Sequence, residues 1–334
     1  MPELRVDIDA IGRNTEVVAA LLRGHHVDLV GVTKGCLGEP RVAAAMLAGG
    51  AVALADTRDR NLRGLRTALP GAELHRIHLP SLVEPFEPGD ITYVSSWEGA
   101  EAVAALPPTH SRFARRIMVQ VETGDEREGA PLEGLPELAG TIAGDPRLEF
   151  AGVATNYACF RGKPDGIRAS VEAIARAAAA LRGAGLPVTR VSGGNSSLLW
   201  LLMQGETLPA EVTELRCGEA LLLGQDALRY EAVPGCRTDA CILRAEVLEE
   251  YTKPARERRA RRLVLGVGRQ DLGSGTVKFL QPDFKEIGRS ADYLVVEAAA
   301  ACPGVFPGGV VDMVPSYEAL VAAWSSPYVE LNLG

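Results

Sequence analysis

Between about residue 27 and residue 225 one unit recurs eight times: a short apolar β-rich run, a polar turn, and a segment whose apolar residues fall at helical spacing. The runs are DLVGVTK (28–34), AVALADTR (51–58), LHRIHLP (74–80), ITYVSS (91–96), RIMVQVET (116–123), EFAGVATN (149–156), VTRVSGGN (188–195) and ELRCGEALLLG (214–224). The intervening helices are clearest in RVAAAMLAGG, WEGAEAVAAL and IRASVEAIARAAAALRGAG, the last closing on a Gly-rich stop. Strands alternating with helices build a parallel sheet, and eight units in roughly 200 residues fit an α/β fold, the TIM (β/α)8 barrel. A doubly wound sheet is the alternative reading of the same alternation.

After Gly224 the pattern changes. CILRAEVLEEYT, RRLVLGVG, ADYLVVEA and VVDMVP read as strands separated by Gly and Pro, without long helices. This predicts a barrel domain over 10–225 and a β-rich C-terminal domain over 226–334. The opening LRVDID alternates as a strand would, which assigns residues 1–9 to the second domain.

Composition narrows the function. The 334 residues are 47% hydrophobic and 23% charged, enough apolar material for a large core, with net charge −8. No long basic run occurs, so a nucleic-acid footprint is missing and small molecules are the expected partners. The N-terminal segment lacks a basic and apolar leader, and no apolar stretch approaches the roughly 20 residues of a membrane span, which reads as a soluble, cytoplasmic chain. Six scattered cysteines form no CxxC pair, so no structural metal is expected.

In such a barrel the chemistry collects at the C-terminal ends of the strands. The first run ends in Thr33-Lys34, and an amine emerging from a buried strand has a lowered pKa that suits a Schiff base. A lysine snorkelling to the rim is the plainer alternative. SGGNSS after the seventh run has the composition that cradles a phosphate, or simply caps the next helix. Arg216 in the eighth run would face a ligand heteroatom or pair with an acid such as Glu219. ETGDEREG places Arg127 among carboxylates, as a site or as a solvated loop.

Taken together, these features resemble the alanine racemase family, the fold-type III pyridoxal phosphate enzymes. VTKG, ADTRDRN, ETGDEREG, GVATNYAC, SGGNSSLL, LRCGEALLLG, LGVGRQDL and SYEAL with SPYVE resemble its ornithine racemase-like branch most closely, over about residues 4–330. The resemblance implies an amino-acid racemase with pyridoxal 5′-phosphate as cofactor, acting as a homodimer with shared active sites. It makes Lys34 the Schiff-base lysine and a proton-transfer group, and puts Arg216 against the pyridine nitrogen. Ser196, the backbone of Gly218 and Glu219, and Tyr317 fall at phosphate-binding positions. Asn156 and Asn195 would line the cofactor, Arg127 would lie near its phenolic oxygen and the substrate carboxylate, and Asp292 matches a substrate-side position.

Departures from the family pattern bear on the substrate. KGCLGEP and GVGRQDL lack the two tyrosines of alanine racemases, and Gln120 stands where those enzymes commonly carry a carbamylated lysine. Against the ornithine branch, the loop ARERRARR (255–262) is short and basic, and Ser290-Ala291-Asp292-Tyr293 replaces Ser-Ser-Asp-His. Racemisation needs an acid opposite Lys34, for which Tyr293, Asp271 and, further behind, Cys302 are candidates. Cys36 and Cys159 read as small rim residues. Two rivals keep the cofactor: another reaction at Cα (epimerisation, aldol cleavage or decarboxylation), or a non-catalytic cofactor-holding protein.

Overall fold

The structure, a computed structural model of the chain, describes residues 1–107, 115–159, 163–254, 259–281, 283–298 and 305–334. The chain opens with β1 (Glu3–Val6) and α1 (Ile8–Arg23). It then forms a closed parallel barrel from β2 (Asp28–Val32), β3 (Ala53–Asp56), β4 (Leu74–Arg76), β5 (Ile91–Val94), β6 (Arg115–Val121), β7 (Leu148–Thr155), β8 (Arg190–Asn195) and β9 (Glu214–Cys217). β2 closes the ring against β9, Asp28 opposite Glu214 and Val30 opposite Arg216. The eight strands of the barrel lie in the eight runs of the sequence repeat, which confirms the TIM-barrel fold and excludes the doubly wound sheet.

Helices α2 (Pro40–Ala48), α3 (Asp59–Ala68), α4 (Trp97–Ala104), α5 (Leu135–Gly144), α6 (Ile167–Gly183), α7 (Leu199–Met203) and α8 (Glu219–Leu223) connect the strands. Local chemistry sets their ends. Pro40 starts α2 with its φ already helical, and the Ser96 hydroxyl accepts from Gly99 N to cap α4. On α6, Ile167, Val171, Ile174, Ala178 and Leu181 form one buried stripe.

Strand alternation divides the barrel into two layers. Ile117, Val119 and Val121 of β6 join the cluster shared with α4, α5 and α6, whereas Met118 belongs with Ile91 and Tyr93 in a separate one. Polar residues complete the second layer. Glu73 takes Arg116 at 2.9 Å and Arg190 at 2.7 Å, and Arg190 also reaches Glu214 at 3.0 Å. Burial pushes the Glu73 carboxyl up, but the hydrogen bond and charge of His75, with Arg190 and Arg116, bring it down to about 2. A depressed carboxyl stabilises the fold above its unfolded pKa, and that contribution disappears as pH falls through the folded value. Glu73→Gln is therefore expected to cost about 1–2 kcal/mol near neutral pH, allowing for partial solvent screening. The gap to wild type should close between about pH 5 and about pH 2, which melting curves across that range would check.

A second compact unit comprises Met1–Ala10, Gly35–Leu37 and Arg237–Gly334, the barrel unit being Ile11–Lys34 with Gly38–Cys236. Its strands are β1, β10 (Cys241–Pro254), β11 (Arg259–Leu265), β12 (Val277–Phe279), β13 (Lys285–Arg289), β14 (Leu294–Ala298), β15 (Val310–Pro315) and β16 (Glu330–Leu333), with α9 (Arg269–Leu272) and α10 (Tyr317–Ser325). The sheet runs β12-β15-β10-β11-β14-β13, and β1 adds to β10 antiparallel and to β16 in parallel. Its core includes Leu243, Val247, Leu263, Leu294, Val296, Val311, Leu320 and Trp324. Among the described residues, no helix is long and apolar enough to cross a membrane.

Candidate active site

The mouth of the barrel brings together most of the residues expected from the sequence. Lys34 lies two residues beyond the end of β2, after Thr33, and is half-buried. Burial is the main cause that lowers its pKa; Arg127 and Arg216 lower it further, while Cys159 and Asp56 oppose them. A lysine so placed carries its free base nearer neutral pH than an exposed one, which is what attack on a carbonyl requires.

Asp56 ends β3 with no exposure and anchors this edge. Its carboxylate accepts from Thr33 Oγ1 at 2.6 Å, Thr57 N at 2.6 Å, Arg58 N at 3.0 Å and Asn61 Nδ2 at 3.0 Å. Four donors satisfy this buried carboxylate and fix Thr33, the residue before Lys34.

Arg216 projects from β9 with 5% exposure. It donates to Gln120 Oε1 at 3.5 Å and to the Thr155 carbonyl, and its guanidinium carbon lies 4.9 Å from the centre of the Tyr93 ring. The Glu219 carboxylate accepts from Gln225 Nε2 at 3.0 Å. Among the described residues, Gln120 Nε2 of β6 and Ser192 Oγ of β8 are buried without a hydrogen-bond partner, as are His75 Nδ1 and Arg76 Nε of β4. An unmade hydrogen bond of that kind is costly unless a ligand or water completes it.

The SGGNSS segment turns sharply into a helical turn at Ser196. Gly194 has φ +138°, and a Cβ there would come within 2.7 Å of Leu198 Cδ1, so both conformation and space require glycine. Asn195 Nδ2 donates to Asn156 Oδ1 and to the Tyr157 carbonyl, each at 2.9 Å, and to Cys159 Sγ at 3.2 Å; its Oδ1 accepts from Ser197 N at 2.8 Å. Ser196 Oγ accepts from Ala220 N at 3.3 Å, tying this turn to the start of α8 beside Gly218 and Glu219.

Arg127 lies at the surface, clamped through two nitrogens by Glu128 and 3.9 Å from Asp125. Cys159, read from the sequence as a rim residue, is exposed, and its Sγ accepts from Asn195 Nδ2. It ends the GVATNYAC segment, after a turn through Ala158, whose φ is +63°.

The remaining sequence candidates belong to the second unit. Asp271 is 6% exposed, with Oδ2 accepting from Gly268 N at 3.0 Å and Oδ1 from Ser326 Oγ at 3.3 Å. Tyr293 closes the turn between β13 and β14 and is 48% exposed. Asp292 accepts from Gln270 at 3.3 Å, and Tyr317 opens α10 behind its Ser316 cap. Cys302 lies outside the described residues.

Comparison with known proteins agrees with this geometry. The family described as alanine racemase, N-terminal domain, matches residues 6–226. A lysine racemase of Thermotoga maritima is 27% identical over 351 residues, covering 98% of this chain and 97% of the relative. An ornithine racemase of Acetoanaerobium sticklandii is 27% identical over 302 residues, 84% of each chain. An alanine racemase structure from Corynebacterium glutamicum superposes with TM-score 0.75 at 19% identity, over 100% of this chain and 99% of that one.

The chain belongs to the alanine racemase family. It is a pyridoxal phosphate-dependent amino-acid racemase, an isomerase. The residues present fit that cofactor: a desolvated lysine for its aldehyde, a buried arginine for its ring, and orphaned polar atoms of Gln120 and Ser192 in the barrel.

Proposed function

We propose that the protein racemises a basic amino acid, ornithine or a close relative such as lysine, with Lys34 as the covalent anchor of pyridoxal phosphate. The observation that carries the reading is the pairing at one barrel mouth of Lys34, its pKa lowered mainly by burial, with the buried Arg216. The names of the lysine and ornithine racemases, both aligned over most of their length, support the choice of a basic substrate.

Once bound, the cofactor supplies an electron sink for the pair left at Cα when its proton departs. The chain's own residues then divide the work. Lys34 would anchor the cofactor and would hold or return the Cα proton on one face. Arg216 would donate to the ring nitrogen and hold it unprotonated, a setting that would favour return of the proton to Cα over side reactions. Ser196, the backbone of Gly218 and Glu219, and Tyr317 would hold the phosphate, and Asn156 and Asn195 would line the ring. Arg127 would serve the phenolic oxygen and the substrate carboxylate, with Asp292 on the substrate side.

Of the two candidates that lie within the described residues, Tyr293 is favoured over Asp271 for the opposite proton. Its side chain is exposed, whereas both carboxylate oxygens of Asp271 accept structural hydrogen bonds. The complete site belongs to a homodimer in which one subunit's second domain covers the other's barrel, in the cytoplasm.

The substrate reading predicts kcat/KM for ornithine or lysine at least about tenfold above that for alanine, roughly the discrimination one well-placed ion pair supplies. A chiral assay over a panel of L-amino acids decides it. Preference for alanine or another small apolar substrate would remove the basic-substrate assignment and leave the racemase in place.

A further inference from the structure

Arg216 is held from two sides by groups of different kinds. Towards the mouth it donates to Gln120 and to the carbonyl of Thr155, the last residue of β7. Its guanidinium also lies against the ring of Tyr93, which is 1% exposed. The Tyr93 hydroxyl donates to Glu214 Oε1 at 3.2 Å. Burial, reinforced by the Glu214 charge and only partly offset by the charge and hydrogen bond of Arg216, raises the phenol pKa, so Tyr93 stays a neutral donor.

Glu214 precedes Arg216 by two residues on β9, and both side chains contact Tyr93, so they project to the same face in successive layers. Their Cα atoms are separated by about 6–7 Å, a span an arginine side chain covers easily. In a dry interior a guanidinium next to a carboxylate forms a direct ion pair in preference to bonds with neutral oxygens. Here it does not, because Tyr93 stands between them, its ring face under the guanidinium and its hydroxyl within reach of both Arg216 and Glu214. Arg190, itself paired with Glu73, holds the other Glu214 oxygen from below.

We propose that Tyr93 is a positioning residue, a spacer that keeps the Arg216 guanidinium at the barrel mouth and off the Glu214 carboxylate, where the cofactor ring nitrogen can use it. The inference rests on the placing of Arg216 against that nitrogen. It predicts an interaction between two sites that simple packing does not. Removing the ring lets Arg216 drop onto Glu214, and removing the carboxylate as well abolishes the reason to drop.

The test is the dissociation constant of pyridoxal phosphate from the apoprotein, by absorbance titration, with melting curves run beside it for Tyr93→Phe, Tyr93→Leu, Tyr93→Leu/Glu214→Gln and Arg216→Met. Tyr93→Phe keeps the spacer and should bind within about twofold of wild type, whereas Tyr93→Leu should bind about tenfold more weakly. The double variant should return to within about threefold of wild type although it has lost two buried groups. A double variant as weak as Tyr93→Leu, or a Tyr93→Leu protein at wild-type affinity, overturns the spacer. If Tyr93→Leu does not fold, Tyr93→Met provides the same comparison, and a loss of about tenfold or more in Tyr93→Phe also overturns it. Wild-type affinity and spectrum in Arg216→Met would instead remove the Arg216 assignment itself.

Discussion

Lys34→Ala is expected to reduce racemisation by about 10⁴-fold or more, to the background of the free cofactor, while the fold changes by less than about 1 kcal/mol. The asymmetry follows from where the residue sits. Lys34 comes after the last residue of β2, outside the barrel's hydrophobic clusters, and the interactions that shape this edge run through Asp56, Thr33 and Asn61. Truncating the lysine removes a partly desolvated cation that burial and two arginines already disfavour. What it deletes is the nucleophile and one of the two proton carriers. Borohydride should fix the cofactor covalently to wild type and leave none attached to Lys34→Ala. The lowered pKa also predicts that loading of wild-type apoprotein continues at pH values where an exposed lysine would be fully protonated.

Arg216→Met should separate cofactor attachment from turnover. With saturating pyridoxal phosphate, borohydride should still trap the cofactor on Lys34, because the lysine environment is built mainly by burial. Turnover should fall by about 10²-fold, the scale on which a preorganised charged donor at the reacting system is felt. Methionine matches the length of the stem and leaves the Thr155 carbonyl and Gln120 without their donor. Part of the measured loss therefore reports those orphaned acceptors, and Arg216→Lys, which keeps a charge but not the planar fork, distinguishes the two contributions. Recovery in Arg216→Lys of less than about tenfold would assign the effect to guanidinium geometry, not to charge alone.

Much of the barrel was legible because parallel strands buried on both faces read as continuous apolar runs, and DLVGV, ITYV and LEFAGVAT do so. Helices such as α6 announced themselves by a single apolar stripe and a Gly stop. The second unit was harder. Its strands alternate, as LVVEA and VVDMVP show, but α10 escaped notice because YEALVAAWS is short and apolar nearly throughout. Lys34, Arg216 and the SGGNSS turn stood out as polar residues ending apolar runs. The Glu73–Arg190–Glu214–Tyr93 column did not, since its members come from four separate stretches and meet only when the sheet closes. One signal was present: Glu214 and Arg216 are charged at period two within ELRC, which in a buried strand requires partners across the barrel.

The most direct test of the central claim is to incubate purified protein, saturated with pyridoxal phosphate, with single enantiomers of ornithine, lysine and alanine in D₂O. Mass spectrometry and chiral chromatography then follow deuterium at Cα. The predicted result is one deuterium at Cα together with both enantiomers from either starting hand, dependent on Lys34 and with no fragment or carbon dioxide released. Cofactor bound to Lys34 without exchange at Cα of any amino acid offered, or exchange accompanied by carbon–carbon cleavage, would contradict it.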